Sequence, residues 1–118
     1  MNFLETLRDF RLRWRAASLH GAALSAESSG QDVKAHTLAE EVLAILDRCK
    51  YKDSPDALAV RLTSVVLLDR VASKLGKPVD RERFEEAAAL AKPFAGAPQF
   101  DQALAWLNHR IEELKPKS

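Results

Sequence analysis

Cysteine is almost missing from this sequence. Cys49 stands alone, which rules out an internal disulfide and fits a reducing, cytoplasmic setting. Long apolar runs are missing too. Stretches such as Val65-Val66-Leu67-Leu68 fall far short of the roughly 20 residues that span a bilayer. Met1-Asn2-Phe3-Leu4-Glu5 lacks the basic start and apolar run of a secretory leader, so no membrane association is expected. Charge of one sign is scarce. A formal net charge of +1 gives no global attraction to nucleic acid or anionic surfaces, so any such pull has to come from a local patch.

The usual catalytic and cofactor patterns are thin as well. The four glycines are isolated, so no phosphate-cradling loop is formed. His20, His36 and His109 lie in three different segments, and no two share the spacing that sets metal ligands side by side. His36 and Glu40 are one helical turn apart, which reads as a solvated pair. Glu40-Glu41, Glu85-Glu86 and Glu112-Glu113 are neighbours that diverge around a helix and do not converge on a point. Cys49 sits on an apolar helix face, where a thiol behaves as a small core side chain. No catalytic residue, metal site or cofactor is expected.

What is present is helical periodicity. With 47% hydrophobic and 30% charged residues over 118 positions, the chain reads as one all-α domain. That domain is placed at residues 1–114, with a frayed tail at 115–118, and is expected to be a compact bundle of about five helices. Phe3, Leu7, Phe10, Trp14, Ala17, Gly21 and Leu24 recur at alternating four and three spacing. This stripe predicts a first helix from Asn2 to about Ser28 that turns Trp14 toward the core. Asp32, read as an N-cap, opens a second helix ending near Lys50, whose inner face carries Ala35, Leu38, Ala39, Val42, Ile45, Leu46 and Cys49. Ser54-Pro55-Asp56 starts a third helix and Gly76-Lys77-Pro78 stops it. That helix, about 55–75, is apolar around most of its circumference and is expected at the centre. Asp80 caps a short alanine-rich fourth helix, with Val79 and Phe84 spaced as a hydrophobic staple. The last helix carries the stripe Phe100, Ala103, Leu104, Leu107, Ile111 and Leu114.

Three features stand off this core pattern. Arg8, Arg11 and Arg15 share one face of the first helix, where guanidinium forks could track phosphates or meet an acidic protein. Asp69 lies among the apolar residues of the third helix and needs a cationic partner, for which the first-helix arginines are the expected source. Trp106 projects off the stripe of the last helix beside Arg110, a residue pair common in protein interfaces. Arg15-x4-His20 resembles the Arg-x4-6-His motif of HEPN-type ribonucleases, small helical bundles in which the two residues cut RNA at a dimer interface. The resemblance covers these two residues alone. That family carries its motif late in the bundle, and here the side chains project about 140° apart on an ideal helix. The expected function is therefore non-enzymatic: an interaction module or small subunit working through protein contacts, with a protein partner or self-association. The alternative is a nucleic-acid-backbone binder using Arg8, Arg11 and Arg15.

Overall fold

A computed structural model describes residues 2–50, 52 and 54–115. It shows an all-α bundle of five helices: α1 (Phe3–Ser28), α2 (Asp32–Asp47), α3 (Pro55–Leu75), α4 (Arg81–Ala91) and α5 (Pro98–Glu113), with a 3-10 turn at Lys92–Phe94. Of the expected tail at residues 115–118, residues 116–118 lie outside the described residues.

The boundaries follow from local chemistry. The Asn2 carboxamide accepts the Glu5 N–H at 2.8 Å and so caps α1. At the other end Gly30 takes φ 76°, and the Gln31 N–H reaches back to the Ala26 carbonyl at 2.9 Å. This tight closure turns α2 antiparallel against α1. Helix α2 begins one residue earlier than expected, with Gln31 as cap and Asp32 in the first turn, and it ends at Asp47. The Ser54 hydroxyl accepts from the Ala57 N–H, Pro55 occupies the first turn of α3, and Gly76 at φ 68° ends it. Asp80 accepts the Glu82 N–H, and Val79 and Phe84 both pack into the core.

Helix α3 is central: among the described residues it contacts all four other helices. Leu58, Leu62, Val65, Leu67, Val71 and Ala72 are buried on it. It runs parallel to α1. Contacts from His20 to Thr63 and from Glu27 to Arg70 both join residues 43 apart, so Pro55 stands level with Leu12. The first turns of α1, Phe3–Arg11, therefore extend past the start of α3.

The main correction to the sequence reading concerns α1. Its stripe faces outward: Phe3 is 77% exposed, Phe10 53% and Trp14 68%, with Leu24 also exposed. Trp14 is not a core residue. The buried face is instead Asp9, Ala16, Ala23 and Ala26, with Leu12 and Leu19 packed beside it. Alanines let the α2 backbone approach closely, and the bulky residues are left on the opposite side of the helix.

Candidate functional site: the outer face of helix α1 and its arginine groove

Charged side chains tie the bundle together, and this sorting isolates one surface. Arg70 on α3 clasps Glu27 of α1 through two hydrogen bonds of 2.9 and 3.0 Å. Arg83 on α4 does the same to Glu40 of α2 at 3.1 Å, and Arg61 on α3 reaches Asp47 at 2.8 Å. Arg13 meets Asp9, and Arg81 meets Glu85. Arg110 on α5 grips Asp69 with bonds of 2.9 and 3.0 Å. Six of the ten arginines thus face a carboxylate.

The other four are Arg8, Arg11, Arg15 and Arg48, and among the described residues none of them has an acidic partner. These four line a single groove of about 320 Å³ together with Leu4, Leu7 and Leu12. Arg48 was not singled out from the sequence. It reaches the first-helix row because α2 ends antiparallel to α1 beside it. Glu5 and Asp9, the nearby acids, are already engaged. Glu5 lies 3.6 Å from the Lys50 ammonium, and Asp9 accepts the Lys50 backbone N–H at 2.7 Å while lying 3.3 Å from Arg13.

Next to the arginine groove runs the outward stripe. Phe10 and Trp14 stack at 6.4 Å between ring centroids, 28° from parallel, and border Arg11. Phe3 and Leu4 extend the exposed apolar surface toward the end of the helix. Exposed arginines and exposed aromatics thus sit side by side on one surface.

The remaining singled-out residues fall elsewhere. Asp69 is buried at 2% exposure and does not meet a first-helix arginine. The offset between α1 and α3 puts Asp69 level with Ala26, some eleven residues beyond Arg15, or about 16 Å along the helix axis. Arg110 supplies the charge, and the Trp106 indole N–H donates to the same carboxylate at 3.1 Å. The three residues named separately from the sequence form one clamp between α3 and α5. The carboxylate of Asp69 in turn raises the Arg110 guanidinium above its usual value, chiefly through the hydrogen bonds. The outer face of Trp106 lines a second groove of about 420 Å³ over α3, with His20, Thr63, Arg70 and Gln102 around it.

His20 therefore lines a different groove from Arg15, and its ring is already occupied. Thr63 Oγ1 donates to the Ala59 carbonyl at 2.8 Å, so in its 3.0 Å contact with His20 the oxygen accepts a hydrogen bond from Nε2–H. Nδ1 then accepts from the buried Ser64 hydroxyl at 3.1 Å. Burial, and next the Arg70 charge, lower the His20 pKa and hold this neutral tautomer. Glu40 is taken up by Arg83 and not left for a His36 metal pair, and no three His, Cys, Asp or Glu side chains converge among the described residues. Cys49 is buried, and burial followed by the Asp9 charge pushes its thiol pKa up. No helix among the described residues is long and apolar enough to cross a membrane.

Comparison with known proteins adds no relative to this picture: no family model, curated protein or solved structure matches the chain.

Proposed function

We propose that the protein is a helical interaction module that docks onto another polypeptide through the outer face of α1. The observation that carries this reading is the outward turn of the α1 stripe. Four of the seven exposed large apolar residues (Phe3, Leu4, Phe10 and Trp14) crowd onto the first half of one helix. Scattered exposed apolar side chains are ordinary on soluble proteins, but a continuous aromatic strip is not. Aromatics with neighbouring arginines also match the composition of binding hot spots.

A photo-crosslinking residue at position 14 in living cells tests the reading. Covalent protein adducts are expected there and not at Ala44, an exposed position on α2. Absence of protein adducts at position 14 defeats it.

A second reading rests on a specific observation, the gathering of Arg8, Arg11, Arg15 and Arg48 around one groove beside Phe10 and Trp14. Unpaired guanidinium groups with adjacent aromatics suit a nucleic-acid backbone with bases stacked alongside. Under this reading, affinity for single-stranded RNA falls steeply with salt and drops when Arg8, Arg11 and Arg15 become glutamine. A flat salt response removes it.

A further inference from the structure

We infer that the partner of the α1 face is a second copy of this chain, packed antiparallel along the stripe. The inference rests on the docking role proposed above and specifies its occupant. Phe3, Leu7, Phe10, Trp14, Ala17, Gly21 and Leu24 follow the four-three alternation of a coiled-coil seam over three heptads. Such a seam is the pattern of a helix that pairs lengthwise with another helix. Among the described residues no helix covers it from Phe3 to Gly21, because α2 and α3 both lie on the alanine side of α1, while Leu24 at its end borders the groove shared with α5.

Side-chain size along the seam selects the direction. The bulky residues occupy its first half and the small ones its second. A parallel pair would set Phe10 against Phe10 and Trp14 against Trp14, leaving Ala17 and Gly21 facing their own copies across a gap. An antiparallel pair brings Trp14 of one copy over Ala17 of the other, Phe10 over Gly21, and Leu7 over Leu24. The space above Gly21 is open, with nothing within 4 Å of a side chain built there. On the flank of the seam Arg11 then meets Ser18, so no like charges face each other at that position. The two-fold axis makes the contact self-complementary and closed, which limits assembly to a dimer.

The area is sufficient. At about 150–250 Å² for a whole aromatic side chain, the exposed parts of Phe3, Phe10 and Trp14, with Leu4, amount to on the order of 500 Å² per chain. Complete covering of these residues in both copies would bury roughly 1,000 Å², the lower bound for a specific interface. Leu7, Ala17, Leu24 and the arginine stems add to it.

Sedimentation velocity and light scattering on the full chain across a concentration series provide the test. The chain is expected to be dimeric at tens of micromolar, with association held or strengthened by added salt because the contact is apolar. Phe10→Glu and Trp14→Glu should each give monomers with unchanged helical circular dichroism. The direction is read by disulfide trapping, with Cys49 buried and out of reach. A mixture of Arg11→Cys and Ser18→Cys chains should oxidise to the mixed dimer, and Arg11→Cys alone should not cross-link to itself. A monomer at every concentration overturns the inference, as does self-linking of Arg11→Cys. If position 14 then captures a different protein in cells, only the second copy is wrong and the docking role stands. Capture of RNA alone removes both.

Discussion

At the scale of single residues, the Asp69 clamp shows how one buried charge is shared between helices. Its carboxylate is enclosed, whereas Arg110 keeps contact with water at 21% side-chain exposure. Removing either partner is therefore not symmetrical. Arg110→Met leaves a buried carboxylate with only the Trp106 N–H for company and should cost about 3–5 kcal/mol. Asp69→Asn keeps an acceptor for the indole and releases a guanidinium that can rehydrate, so about 2 kcal/mol is expected. Urea unfolding of the two variants measures the difference. His20 makes a second case. Its folded pKa lies below the value of the unfolded chain, so the unfolded chain binds more protons in that interval. Stability is complete well above about pH 6.5 and falls as pH drops from there to the folded value, below which both states carry the proton and the loss levels off. His36 shifts the same way, again mainly through burial. His20→Gln should keep part of the hydrogen bonding and flatten the loss of stability between neutral and mildly acidic pH. His36 contributes to the slope that remains. Unfolding curves at several pH values check this, and an unaltered slope contradicts it.

At the scale of elements, α1 carries two apolar faces of different character, and their substitution costs should invert ordinary intuition. Trp14→Ser removes a large aromatic from solvent and is expected to change monomer stability by no more than about 0.5 kcal/mol. Ala23→Leu adds bulk at a fully buried position in the core and should cost about 1–3 kcal/mol. Both are measured by chemical unfolding at concentrations where the chain is monomeric. The same helix marks the limit of what sequence could reveal. Starts and stops were legible because they are local: Ser54-Pro55-Asp56, Gly76 and the Asp80 cap act through residues three or four apart. The central place of α3 was legible because a helix apolar on most sides has only one environment open to it. The facing of α1 was not, since an alanine row and an aromatic row both satisfy helical periodicity. Choosing between them depends on how near the neighbouring helices come. The partner of Asp69 was hidden for a related reason. Arg8, Arg11 and Arg15 looked available, but the register of α1 against α3 is a tertiary fact that carries them about three turns away. Trp106 and Arg110 were visible as off-stripe residues, and only the docking of α5 on α3 joins them to Asp69.

At the scale of the whole molecule, the distribution of arginines among the described residues divides the surface into a part braced by carboxylates and a part without them. Arg61, Arg70, Arg83 and Arg110 brace one helix to another, whereas Arg8, Arg11, Arg15 and Arg48 gather at one end. The net charge of +1 thus conceals a basic end. Association through the aromatic seam would make the melting temperature rise with protein concentration, and the rise should vanish in Trp14→Glu. Calorimetry over a concentration series distinguishes this from a strict monomer. The overhang of α1 past the beginning of α3 has a kinetic counterpart. Among the described residues, the polar contacts that tie Phe3–Arg11 to the rest of the bundle run to Lys50, through Asp9 and Glu5, while the rest of the helix is braced by two neighbours. The amide hydrogens of Phe3–Arg11 should exchange with solvent by local opening, well ahead of those from Leu12 onward, which wait for the bundle itself to come apart. A partner seated on the overhang would remove that difference in rate, so the exchange pattern of nine residues would report occupancy of the site.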